Sequence, residues 1–335
     1  MDLDLVHSSP GAQVALYEKN NVYTKLLTEI HQERFLDYRR EWKLREETLV
    51  EGDFPLSLDF SVNSGCQLNC IMCPLPAMKR HKIGKLIALK DFKRIMSEAA
   101  EHSLPAMTLG LGSEPLLNPE IFTILDISGK SGVMDIRLGT NGHLLSSDTI
   151  ERILDSPLTR LEVSIDAVTI QSYKLIRGAD YKSLVKKVER FCARKVQKGR
   201  KLPLLRLSFL ELPENQGELA TFISRWSELA DMISIQKPIY FKESRLKRPK
   251  PQKKAINERE DAICRQPWQR LSILEDLSLW PCCSWYGEGL LPGKLSSTTV
   301  SQIWKGETLR RLRESLSEGP PTTKCKRCLD ATPFE

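Results

Sequence analysis

From Pro55 to Ile235 the chain alternates short apolar runs with longer amphipathic ones. Leu56-Ser57-Leu58-Asp59-Phe60-Ser61-Val62 switches between apolar and polar residues at every step, the period of a half-buried strand. Residues 106–111, 134–138, 161–165, 204–210 and 232–235 continue the series. Between them, apolar residues fall at helical spacing over 89–101, 119–128, 147–154, 183–196 and 218–230. Pro119 suits the first turn of its helix, and Ser147 suits an N-cap. Six strand–helix alternations predict an α/β fold with a parallel sheet, because right-handed crossovers stack the helices on one side of it. A partial barrel and a doubly wound sheet both satisfy this pattern.

The flanks read differently. Residues 1–52 are polar with a helical apolar rhythm (Val22, Leu26, Leu27, Ile30, Phe35, Tyr38, Trp42), which predicts an N-terminal helical extension packed on the next domain. After Tyr240 the rhythm breaks at "KESRLKRPKPQKK", Lys242 to Lys254. The chain beyond this run is rich in cysteine and tryptophan, with a predicted hairpin turning at Glu275-Asp276. The predicted organisation is a core domain over 53–241, a basic linker over 242–260 and a small Cys-rich C-terminal domain over 261–335. Trp268, Trp280, Trp285 and Trp304 are expected to fill the thin core of that last domain.

Composition narrows the class. With 41% apolar and 28% charged residues the chain can bury an ordinary core without disulfides. Nothing approaches the roughly 18–20 apolar residues of a membrane span. Met1-Asp2-Leu3-Asp4 lacks the features of a signal peptide, so a cytoplasmic protein with no membrane partner is expected. The net charge of +7 is modest, and its densest basic run reads as a solvated linker or a clamp for an anionic substrate. Aromatics are not interleaved with the basic residues, so no nucleic-acid partner is expected.

Nine cysteines in such a chain point to metal rather than disulfides, because eight of them fall in two groups. Cys192, inside a helical pattern, reads as a small core residue. The first group, "CQLNCIMCP", sets Cys66, Cys70 and Cys73 in a C-x3-C-x2-C loop just after the first predicted strand. Three thiolates in one loop can ligate three irons of a cubane and leave the fourth open. A structural zinc site wants four closed ligands, and His81, eight residues beyond Cys73, does not fit knuckle spacing.

This loop, placed after the first strand of a βα series, resembles the radical S-adenosylmethionine (SAM) superfamily. Further segments come in matching order. Gly110-Leu111-Gly112-Ser113-Glu114-Pro115 is similar to the family's "GGEP" turn, with Ser113 where a second glycine is usual. Thr140-Asn141-Gly142 matches its "TNG" segment, Ser164-Ile165-Asp166 its "S-x-D" segment, and Arg177 an arginine that holds the SAM carboxylate. The resemblance implies a partial (β/α)6 barrel with a 4Fe–4S cluster on Cys66, Cys70 and Cys73, its open iron binding SAM. Gly112, Ser113, Glu114, Thr140, Asn141, Ser164, Asp166 and Arg177 would contact the SAM. By the same resemblance, an electron from a flavodoxin- or ferredoxin-type donor splits SAM to a 5′-deoxyadenosyl radical.

The second group is Cys264, Cys282 or Cys283, Cys325 and Cys328; by spacing, zinc and iron–sulfur both fit. Its context, "CRQPW", "LSILEDLSLWPCC", "VSQIWKGETLRRLR" and "CKRC", resembles the SPASM or twitch extension of radical SAM enzymes, with Asp276-Leu277 where Asp-Gly is usual. That resemblance implies one auxiliary 4Fe–4S cluster on Cys264, Cys282, Cys325 and Cys328. Cys282 is preferred to Cys283 because it follows a proline.

The expected substrate is a carbohydrate- or cyclitol-type small molecule, oxidised or modified with help from the auxiliary cluster. The 52 residues ahead of the first predicted strand are too few and too helical for the leader-binding module common in peptide maturases. A maturase of a ribosomally made peptide is the alternative, and a non-enzymatic iron–sulfur electron carrier a third. Glu211 and Glu214 are candidates for a general base by position alone.

Overall fold

The computed structural model describes residues 3–9, 14–77, 84–247 and 263–331. His81 and most of the basic stretch, from Arg248 on, lie outside the described residues. Eleven strands form one sheet: β1 (Leu3–Ser9), β2 (Val14–Lys19), β3 (Ser57–Phe60), β4 (Ala106–Leu109), β5 (Asp135–Thr140), β6 (Arg160–Ser164), β7 (Leu204–Leu210), β8 (Met232–Gln236), β9 (Arg270–Ile273), β10 (Ser278–Trp280) and β11 (Leu291–Lys294). Their spatial order is β1-β2-β8-β7-β6-β5-β4-β3-β9-β10-β11.

The six central strands, β3 to β8, are the six read from the sequence, and all pair in parallel with their sequence neighbours. Their order never reverses. A doubly wound sheet has a point where it does, so the structure selects the partial barrel. Side-chain alternation follows the pleat. Leu58, Phe60, Met107, Leu109, Ile136, Leu138, Leu161, Val163, Leu205, Leu207 and Phe209 join the main core with helices such as Leu89–Glu101 and Tyr181–Gln197. The intervening residues Asp59, Thr108, Arg137, Glu162 and Ser208 line a cavity on the opposite face.

Helix boundaries move: the helix expected over 183–196 spans Tyr181–Gln197, and that expected over 218–230 spans only Leu219–Trp226. The helix expected from Pro119 begins at Ile121, and the cap of helix Ser147–Asp155 is Ser146, whose Oγ accepts from Thr149 N at 3.0 Å. Both shifts are of one or two residues, the range over which neighbouring Ser, Asn and Pro compete for a helix start.

The N-terminal region is helical where the apolar rhythm is strong, over Val22–His31 and Glu33–Thr48. Tyr23, Leu26, Leu27, Phe35 and Tyr38 pack with Leu56, Ala106, Met134, Leu204 and Met232, which sit at or just before the starts of the barrel strands. These helices therefore plug the N-terminal end of the barrel. Tyr23 Oη donates to Asp135 Oδ2 at 2.7 Å inside the plug. The helical expectation fails at residues 3–9 and 14–19. There β1 and β2 form an antiparallel hairpin, and β2 pairs with β8. The unpaired backbone edge of β8 is a long-range partner that local periodicity does not reveal.

The Cys-rich region extends the same sheet. β9 pairs in parallel with β3, and β10 returns antiparallel after the expected turn at Glu275-Asp276. Leu277, standing where glycine is usual, takes φ +66°. Its side chain is buried in the main core. Trp268, Trp280 and Trp304 are buried as expected. The first residues of the basic stretch also dock: Leu246 is buried against Ile176 and Leu212, and its N–H donates to Ile71 O at 2.9 Å. Among the described residues, no helix is long and apolar enough to cross a membrane.

Candidate active site

Cys66, Cys70 and Cys73 follow β3 in a loop without regular structure. The loop is held from outside itself. Ile71 N–H donates to Ile176 O at 3.0 Å, and Glu114 N–H donates to Gly65 O at 2.9 Å. All three cysteines open onto one cavity of about 480 Å³ at the C-terminal ends of the strands, within the range of small-molecule sites. Among the described residues, no three of His, Cys, Asp and Glu converge on a single-ion position. The loop thiols share a chamber instead. In the cluster-free chain, burial pushes Cys66 up to about 11 and Cys73 up to about 12. A bound metal reverses that preference, because a coordinated thiol is deprotonated outright.

The motif residues gather around the same chamber. Gly112, Ser113, Glu114, Thr140, Asn141, Ser164, Asp166 and Arg177 all line it. Gly110 has φ +109°, and a Cβ there would lie 2.4 Å from Gly139 O, so the turn tolerates only glycine. Glu114 is fully enclosed and accepts from Thr140 Oγ1 at 2.7 Å, Asn141 N at 2.8 Å and Leu116 N at 3.2 Å. Burial nonetheless pushes its carboxyl up to about 7. Asn141 Nδ2 lies 3.6 Å from Cys66 Sγ.

Asp166 occupies the left-handed region at φ +62°, which Asp accepts better than most side chains. Its carboxylate pairs with Arg177 and accepts from Leu210 N at 2.8 Å. Burial raises its pKa despite Arg177. Arg177 ends helix Ile170–Arg177, and its Nη1 lies 3.6 Å from Cys70 Sγ. Two buried polar atoms here have no hydrogen-bond partner: Ser113 Oγ and Arg177 Nε. Orphaned donors on a chamber wall are what a polar ligand would satisfy. Three thiols, a buried carboxylate and these donors fit a cubane carrying an amino-acid ligand.

Glu211 and Glu214 do not line the cavity; Glu211 pairs with Lys237 at 3.1 Å. Residues the motifs did not flag do line it: Asp59, Thr108, Arg137, Glu162, Ser208, Gln236, Cys283 and Trp285. Most are polar residues at alternate positions of otherwise apolar strands, and that was their legible signal. Trp285 departs from the core role expected of it. It packs on Gly112, where a Cβ would lie 2.7 Å from its ring. A larger groove of about 1140 Å³ runs beside helix Glu33–Thr48, but none of the motif residues lines it.

In the C-terminal region burial raises Cys264, Cys282, Cys325 and Cys328; Cys264 lies near Cys328, Cys325 and Cys283, and Cys282 near Cys283, Cys264 and Cys328. Ser284 Oγ lies 3.4 Å from Cys328 Sγ. Gly287 presses on Cys282, with a Cβ there only 3.0 Å from the sulfur. Cys283 instead is exposed on the wall of the first cavity. This grouping of thiols fits a second iron–sulfur group.

The Radical SAM superfamily profile matches residues 60–203, and that of an iron-sulfur cluster-binding domain, SPASM, matches residues 264–329. Similar curated proteins include an AdoMet-dependent heme synthase of Methanosarcina barkeri, 30% identical over 124 residues, and a probable GTP 3',8-cyclase of Methanothermobacter thermautotrophicus, 30% identical over 131. Those matches cover 37% and 39% of this chain, and span only 35% and 42% of the relatives' own length. Among solved structures, Streptococcus suis SuiB aligns with a TM-score of 0.64 over 98% of this chain and 92% of its own, at 14% identity. BtrN in complex with AdoMet and 2-DOIA aligns at 0.53 over 78% and 87%, at 15% identity. At such identities the likeness is one of fold.

Proposed function

Because the chain belongs to the radical SAM superfamily and carries a SPASM-type iron–sulfur domain, we propose that it is an enzyme that cleaves SAM reductively and abstracts hydrogen from a polar small molecule, of carbohydrate or cyclitol type. The observation that carries this reading is the single cavity onto which Cys66, Cys70, Cys73 and the motif residues all open. When bound, the two clusters and SAM supply a 5′-deoxyadenosyl radical and an acceptor for the electron left on the substrate.

The chain's own residues bind, orient and shield. Cys66, Cys70 and Cys73 hold the first cluster; Cys264, Cys282, Cys325 and Cys328 hold the second. Glu114 takes the SAM ammonium, and its bonds from Thr140 and Asn141 fix its direction. Arg177 takes the carboxylate through the edge that Asp166 leaves free. Ser113, Ser164 and Asp166 face the remaining polar groups, and Trp285 screens the chamber from water. A volume of about 480 Å³ shared by the first cluster and SAM leaves room for a small reacting group.

The test is anaerobic incubation of the reconstituted chain with dithionite and SAM. Release of 5′-deoxyadenosine is expected, and none from Cys70→Ala. Retention of both clusters with no SAM cleavage would instead identify an electron carrier.

A further inference from the structure

Asn141 follows β5 directly and is buried beside the cysteine loop. Its Oδ1 accepts from His143 N–H at 3.0 Å and from Gln67 Nε2 at 3.1 Å. Its Nδ2 donates to Gln67 Oε1 at 3.3 Å and lies 3.6 Å from Cys66 Sγ. A backbone N–H can only donate, so the end of the amide that faces His143 is the oxygen. The NH2 end is therefore the one turned to Cys66, and the large radius of sulfur makes that separation an ordinary N–H···S distance. Both lone pairs and both hydrogens of the amide are thus taken. An amide placed to read SAM would hold a donor or an acceptor back for it.

Gln67 is the residue after the first cysteine, and it is exposed. An exposed glutamine can satisfy its amide with water. This one instead reaches across 74 residues of chain and pairs both ends of its amide with both ends of Asn141's. Two reciprocal bonds fix the plane of the Asn141 amide, where His143 N–H alone would fix only its oxygen.

Other donors also reach the sulfurs of this loop. Leu68 N–H lies 3.4 Å from Cys66 Sγ, and Arg177 Nη1 lies 3.6 Å from Cys70 Sγ. The first comes with the local turn, and the second belongs to a guanidinium already paired with Asp166. Asn141 is a neutral donor carried to the loop by a distant strand. Hydrogen bonds to the sulfurs help to set the reduction potential of an iron–sulfur cluster. A donor stabilises the added negative charge of the reduced state more than the oxidised state, so it makes the cluster easier to reduce.

Resting on the reading that Cys66, Cys70 and Cys73 hold a 4Fe–4S cluster, we propose that Gln67 is a positioning residue: by pairing with the Asn141 amide it keeps the NH2 group on the Cys66 sulfur, and this bond raises the reduction potential of the first cluster.

The test is a redox titration of the full, anaerobically reconstituted chain without SAM, followed by electron paramagnetic resonance. SAM added to the wild type afterwards identifies the signal of the first cluster, and the second cluster serves as an internal standard. Asn141→Leu keeps the bulk of the side chain and removes the donor. It is expected to shift the reduction equilibrium of the first cluster about tenfold toward the oxidised form, roughly 59 mV lower for one electron. Gln67→Met leaves the donor but releases its plane, so a smaller fall in the same direction is expected. The potential of the second cluster should not move in either variant. Iron content checks that each variant holds both clusters, and Gln67→Met, at an exposed position, carries the comparison if Asn141→Leu fails that check. An unchanged potential of the first cluster in either loaded variant, or an equal fall in both clusters, overturns the proposal. A wild-type chain with no SAM-responsive cluster would sink the functional reading and this proposal together, whereas an unchanged potential sinks the proposal alone.

Discussion

The two cysteine groups of this chain are built on opposite plans. Cys66, Cys70 and Cys73 come from one loop and share a chamber with a buried carboxylate and two orphaned donors. Cys264, Cys282, Cys325 and Cys328 come from three separate stretches, and only Cys283 beside them reaches that chamber. A site that opens on a cavity with unsatisfied donors is made to take a ligand. The second group lines no part of that cavity and has Gly287 behind Cys282, and its proposed role is to hold a group in place. The contact between Trp285 and Gly112 joins the two, setting the wall of the second region against the glycine turn of the first.

The largest effect that would break this contrast is on iron. Cys325→Ser is expected to lower iron from about eight to about four per chain, and the remaining cluster should still change its electron paramagnetic resonance spectrum when SAM is added. If Cys325→Ser abolished that change, the division between the two sites would be wrong.

A smaller effect sharpens the contrast on the open side. Burial raises the Glu114 pKa from 4.5 to about 7 in the ligand-free chain. A raised carboxyl pKa favours the protonated folded form. Its stability contribution is therefore complete below pH 4.5 and lost as pH rises through about 7, a difference of roughly 3 kcal/mol at most. Glu114→Gln has no such titration. Denaturant unfolding of the ligand-free variant should show it more stable than wild type at pH 8, with the gap closing toward pH 5, while its SAM affinity falls. Equal stability of the two chains at pH 8 would show that Glu114 carries no such burden.

Legibility in the sequence tracks the range of the interactions. The six parallel strands and the first cysteine loop were readable because each depends on a few neighbouring residues: alternation over 56–62, or the spacing of Cys66, Cys70 and Cys73. The antiparallel pair β1 and β2 was not, because β2 takes its strand state from pairing with β8, more than two hundred residues away. The inner charged layer was half legible. Arg137, Glu162 and Arg206 stand out as charges inside apolar strands, but only the register of β5, β6 and β7 brings them together. Trp285 was read as core because composition gives a tryptophan no direction; the turn after Pro281 swings it over Gly112.

The most direct measurement is electron–nuclear double resonance on the reduced, reconstituted chain with SAM labelled with ¹⁵N at its amino group. If the cluster on the loop of Cys66, Cys70 and Cys73 offers an open iron to the ligand, the label should couple to the cluster spin. A reduced cluster that shows no coupling to bound, labelled SAM would contradict the account.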